Sequence, residues 1–163
     1  MDNIEQANAK DAYDNGDYPR ALALLLPLAE CGNDVEAVET VGNIYALHQH
    51  RFEDNPWEDT SIDQETLDGL LRSDVREAIK WLKKAIDMGS ATAANNLAVV
   101  YASELVDATD AEADVLAQHY LELAHQRGCA VLGGLNRRSD TGQTLLLDAM
   151  LGRKGNSEPR QER

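Results

Sequence analysis

The chain is poor in residues that staple or anchor a protein. Two cysteines among 163 residues, Cys31 and Cys129, are too few for a disulfide framework; each falls near the end of a repeated segment, as a small buried hydrophobe would. Only 15 lysines and arginines stand against 29 aspartates and glutamates, a formal charge of -14. That balance excludes nucleic acid and an anionic membrane surface, because phosphate-backbone binding rests on clustered cations. No apolar run approaches the ~20 residues of a membrane span. The opening Met1-Asp2-Asn3-Ile4-Glu5-Gln6 lacks the basic start and apolar core of a secretory signal, so a cytoplasmic location is expected. There is no Gly-rich phosphate loop, nucleophile elbow or zinc motif. What the acidity favours is a basic protein, or a basic segment of one, drawn in over roughly a Debye length.

What the chain does have is repetition. In Ala78-Ile79-Lys80-Trp81-Leu82-Lys83-Lys84-Ala85-Ile86-Asp87-Met88-Gly89 a small residue is followed by an aromatic at three, an alanine at seven and a glycine at eleven; Ala117, Tyr120, Ala124 and Gly128 return the same spacing. Ala21, Leu24, Leu28 and Gly32 keep it with aliphatics in the middle. A second pattern, Ala37, Val41, Gly42 and Tyr45, recurs as Ala93, Leu97, Ala98 and Tyr101. Gly42 and Ala98 share a slot where a small side chain lets two helix backbones approach. The spacing predicts helical hairpins, with Asn15-Gly16-Asp17 as the first turn, Pro19 opening the second helix and Asp34 capping the third. Second helices are expected at about 74–88 and 111–126. Pro27 is expected to kink or shorten its helix.

Ala78 and Ala117 are 39 residues apart but Ala21 and Ala78 are 57 apart, so unit two carries an insertion, placed at about 49–73. It is acidic, with a short helix predicted at 61–71 capped by Thr60 or Ser61. Its Phe52 and Trp57 either anchor a partner or pin the insertion to the body of the protein. Residues 144–151 read as a helix capping the array, and 152–163 as a disordered tail. One repeat domain is therefore expected over 1–151.

Laid out this way, the chain resembles the Sel1-like repeat family, a relative of the tetratricopeptide repeats. The resemblance rests on Ala37-Val38-Glu39-Thr40-Val41-Gly42-Asn43-Ile44-Tyr45 and on the run from Ala78 through Trp81, Ala85, Gly89, Ala93 and Asn96-Leu97-Ala98 to Tyr101. It spans roughly residues 5–130. It implies an all-α fold, a right-handed α-solenoid of about three hairpins, serving as a non-catalytic adaptor; small bacterial members resemble immunity proteins that neutralise a toxin. First helices of such a stack line its concave face. The partner-facing positions are then Gln6, Lys10 and Tyr13; Glu36, Glu39, Asn43 and Leu47; Asn95, Val99 and Ser103, with Phe52 and Trp57 of the insertion.

Chemical readings are weaker. His48 and His50, with Glu53 and Asp54, are residue types that bind zinc or nickel, but a lone His-x-His at a helix end reads as a solvated terminus, and no metal or other cofactor is expected. His119 and His125 lie six apart, on different helical faces. Cys129 follows His125 by four, yet Gly128 between them is expected to end the helix and separate thiol from base. The insertion carboxylates permit a hydrolase reading, but nothing selects a pair. Trp81, Tyr120, Tyr45 and Tyr101 occupy repeat positions and read as core.

Overall fold

The computed structural model describes residues 2–52 and 61–129. Within them the chain forms six helices and no strand: α1 (Asp2–Asp14), α2 (Tyr18–Cys31), α3 (Val35–Ala46), α4 (Gln64–Asp87), α5 (Ala91–Tyr101) and α6 (Asp110–Gln126). The all-α class holds. Each helix packs against the next in chain order, and α3 also touches α5. Trp57, the expected capping helix at 144–151 and the tail 152–163 lie outside the described residues.

Side chains short enough to reach back to the backbone start the helices. Asp17 accepts the Arg20 N–H at 3.2 Å, Asp34 those of Glu36 and Ala37 at 3.0 and 3.1 Å, and Ser90 that of Ala93 at 2.9 Å. Thr109 and Glu112 form a reciprocal capping box at the head of α6. At the other end, Gly89 (φ 102°) and Gly128 (φ 85°) close α4 and α6 in left-handed conformation, where a Cβ would be strained. Both closures have the same pair of bonds: Gly89 to the Ile86 carbonyl and Ser90 to Ala85, Gly128 to His125 and Cys129 to Ala124.

Two expectations are corrected. The predicted short helix at 61–71 and the helix expected to begin near residue 74 are one continuous helix, α4, capped by Asp63 rather than by Thr60 or Ser61. Asp74 looks like a helix start in sequence but lies mid-helix, its carboxylate engaged by Arg51 and by the imidazoles of His48 and His50. Pro27 does not shorten α2, which runs on to Cys31. Pro27 and Ala23, the residue whose carbonyl loses its donor, are both exposed, so water satisfies that carbonyl.

The core is aliphatic and alanine-rich. Leu82, Leu71, Ile44, Val38 and Leu97 are fully buried, and Ala78, Ala85, Ala93, Ala94 and Ala124 let the helices close up. Trp81 and Tyr101 are buried, and Tyr45 and Tyr120 pack half-buried against the core, as their repeat positions imply. Tyr101 and Tyr120 stack in parallel at 5.7 Å. At Gly42, a Cβ would stand 2.8 Å from Leu82 Cγ, 2.9 Å from its Cδ2 and 3.2 Å from its backbone nitrogen. The small-residue slot is thus the place where α3 and α4 approach most tightly against a glycine. Lys84 crosses from α4 to α2, donating its Nζ to the Ala29 carbonyl at 2.6 Å and to Glu30 at 3.3 Å, where the helix dipole favours a cation.

Candidate functional site

Glu39 and Asn43, one turn apart on α3, face α5 rather than open solvent. Ser90 Oγ donates to Glu39 Oε2 at 2.6 Å, and Asn96 Nδ2 donates to Asn43 Oδ1 at 2.9 Å. A polar seam therefore stitches α3 to α5. Burial is the largest cause holding the Glu39 carboxyl above its ordinary range; the Ser90 bond acts against it and the charge of Glu36 adds to it. Asn95, expected on an open face, is buried at 7 % exposure, and its Oδ1 has no hydrogen-bond partner among the described residues. Its burial follows from α5 itself, of which eight residues are buried, so the helix is covered on nearly every side.

The other expected partner residues divide in the same way. Gln6 is committed to Asp34 at 2.6 Å and Lys10 to Asp14 at 3.2 Å. Tyr13 is half-buried against the core, edge-on to Tyr18 at 5.4 Å. Ser103 donates its hydroxyl to the Val100 carbonyl at 2.7 Å. Leu47, Phe52 and Val99 are half-buried, and Glu36 is exposed. The expected face is therefore divided: Glu39, Asn43 and Asn95 lie in the joint between α3 and α5, while Lys10 and Glu36 are exposed.

The strongest polar cluster is one the sequence pattern did not indicate. Asp74, 1 % exposed, sits in α4 opposite the turn that leaves α3. Arg51 donates its Nε–H to both carboxylate oxygens at 3.0 Å. His48 Nδ1 lies 3.2 Å from Oδ2 and His50 Nε2 3.5 Å from Oδ1. So His48 and His50 are not a solvated terminus. Their partner is 26 residues away from His48, out of reach of any local motif. The legible signal is the unbroken apolar stripe Leu67, Leu71, Val75, Ala78, Leu82, Ala85, which carries α4 straight through Asp74 and so places an acid mid-helix.

His48 also stands where glycine stands at the ends of α4 and α6. Its N–H meets the Tyr45 carbonyl at 3.1 Å and that of Gln49 meets Ile44 at 3.1 Å, and its φ is 56°. A side chain in this conformation costs about 1 kcal/mol. Its imidazole at Asp74 is what a glycine there would lack.

Among the described residues no group of three or more His, Cys, Asp or Glu side chains is arranged to hold a metal. Burial, and secondarily the charge of Glu39, pushes the Cys129 thiol up, the opposite of activation. Helix α6 ends at Gln126, before Cys129. His119 and His125 are exposed. Among the described residues no helix is long and apolar enough to cross a membrane.

Carboxylates dominate the outer surface. Glu104, Asp107, Glu112, Asp114 and Glu122 are exposed along α6 and the loop before it, Asp107 paired with Arg76 at 2.9 Å, and Val115 of α6 is 69 % exposed. No family model matches the chain, and neither a curated protein nor a solved structure matches it.

Proposed function

We propose that the chain is a non-catalytic helical-repeat module, a right-handed α-solenoid of about three hairpins of the Sel1-like kind, that binds another protein carrying a basic surface. The observation that supports this reading most is the set of exposed carboxylates Glu104, Asp114 and Glu122 on α6 and its preceding loop, with an apolar side chain, Val115, exposed on the same helix. An exposed acidic surface steers a basic partner, and an exposed apolar side chain beside it suits a protein better than a free ion. Helices packing in chain order support the solenoid reading.

In its sharper form the module is a cytoplasmic immunity protein that covers a basic toxin domain. A scaffold in a secretion or envelope complex is the alternative; a hydrolase built on insertion carboxylates is a third.

Glu36, Glu104 and Asp114 are the residues to reverse, because among the described residues their side chains hold no bond that the fold uses. Changing all three to lysine weakens binding of the captured partner ~tenfold at low salt, consistent with several rim charges of a few tenths of a kcal/mol each. High salt narrows the difference. Trp57→Ala tests whether the insertion adds to the interface. Unchanged affinity in the triple variant would overturn the assignment of the surface, and hydrolytic turnover lost with a single insertion carboxylate would overturn the non-catalytic reading.

A further inference from the structure

Among the described residues Arg51 already pairs with Asp74, the buried carboxylate at the α3 exit, so a proton taken up by His50 beside it adds a charge that Asp74 shares with Arg51. We propose that the turn 48–52 is a pH-sensitive latch, clasped on Asp74 of α4 at neutral pH and loosened in mild acid by protonation of His50.

Three observations carry this. The turn has its own backbone bonds, Arg51 and Phe52 both donating to the His48 carbonyl at 3.0 and 3.2 Å, and side chains tie it to α4 as well: His48 occupies a left-handed position that glycine takes at the ends of α4 and α6, and its Nδ1 lies 3.2 Å from Asp74 Oδ2. His50 is enclosed, its side chain 13 % exposed, with Tyr45 of α3 edge-on at 4.9 Å and its Nδ1 buried without a hydrogen-bond partner among the described residues. The cluster joins two elements, so its loss is a local opening rather than a local rearrangement.

The groups facing His50 can be set against each other. Burial is the largest influence and disfavours the charged imidazole; Arg51 and His48 in the turn act the same way. Asp74 of α4 and the backbone carbonyl of Ile44 in α3 act against it, and the net direction is downward from the ordinary 6.5. Tyr45 is uncharged at these pH values, its hydroxyl raised by burial first and then by Glu77 and Asp74. A histidine whose folded pKa lies below its unfolded value favours the closed turn fully above the unfolded value. That contribution falls as pH drops below it and levels off below the folded value.

The test uses the full chain. Histidine Cε1–H resonances are followed by NMR from pH 8 to 5, assigned with His50→Gln, while amide exchange is read at Arg51, Phe52 and Asp74. The latch predicts a His50 midpoint below 6.5 and a loss of protection at Arg51 and Phe52, relative to the intrinsic exchange rate at each pH, on the same midpoint. It also predicts that His50→Gln removes this acid limb while His119→Gln retains it. A His50 midpoint at or above 6.5, or exchange at Arg51 and Phe52 that does not follow it, overturns the proposal. Should His50→Gln not fold, assignment through two-bond couplings in the unsubstituted chain leaves the titration decisive.

Discussion

Replacing Gly42 with alanine sets two opposing effects against each other, and their balance reveals how closely α3 and α4 meet. In an open helix the change stabilises by about 1 kcal/mol, since glycine carries the larger entropic cost. At Gly42 the new methyl stands 2.8 Å from Leu82 Cγ and 2.9 Å from Cδ2. Carbon atoms prefer ~3.5–4.0 Å, so the overlap is most of an ångström. Leu82 is 0 % exposed and its own backbone nitrogen is 3.2 Å from the methyl, so rotating the side chain does not relieve the clash. Overpacking of this kind costs about 1–3 kcal/mol. The net expectation is a loss of about 1 kcal/mol, measured by urea unfolding followed by circular dichroism with an unchanged denaturant slope.

Gly69 supplies the control. It lies inside α4, is exposed, and a Cβ there meets nothing within 4 Å, so Gly69→Ala gains about 0.5–1 kcal/mol. In the double variant Gly42→Ala with Leu82→Ala, the added methyl fills part of the cavity, so the combined loss is smaller than the two separate losses together, by at least about 0.5 kcal/mol. Gly42→Ala stabilising as much as Gly69→Ala would refute the close approach.

Three further outcomes follow from the polar contacts. Asp74→Ala leaves the buried His48, the half-buried His50 and the part-exposed Arg51 without their shared acceptor and loses about 1–3 kcal/mol by chemical unfolding at pH 7, whereas a surface ion pair such as Lys10 with Asp14 loses less than about 1 kcal/mol. Glu39 has a folded pKa raised above its ordinary 4.5, so its contribution to stability is present below that value and is lost as pH rises through the folded one. Glu39→Gln therefore melts higher than the unsubstituted chain at pH 7, and the gain vanishes by about pH 4 in thermal scans. Lys84→Met leaves the α2 carbonyls of Ala29 and Glu30 without their donor and lowers stability by about 1 kcal/mol, with faster amide exchange in the last turn of α2.

Periodicity made most of the helices readable before the structure, because apolar spacing and terminal glycines are local properties. The starts of α2 and α3, the span of α6, the closures at Gly89 and Gly128, and the slot at Gly42 all follow from residues within one or two turns of each other. The candidate site was less legible for a physical reason: its polar residues are paired across distances in sequence that no motif records. Asp74 has the look of a helix cap and is instead a buried counter-ion for a turn more than 20 residues earlier. Glu39 and Asn43 have the spacing of an open polar face, and only the packing of α5 beside α3 turns that face into a seam.

The central claim, that this acidic helical module binds a basic protein, is tested most directly by affinity capture with the tagged full chain from its native cells, washed at low and then high salt. The account predicts one stoichiometric, basic protein that is released as salt rises and that reassembles with the purified chain at low salt. Recovery of no stoichiometric protein at either salt, or of one whose retention is insensitive to salt, would contradict it.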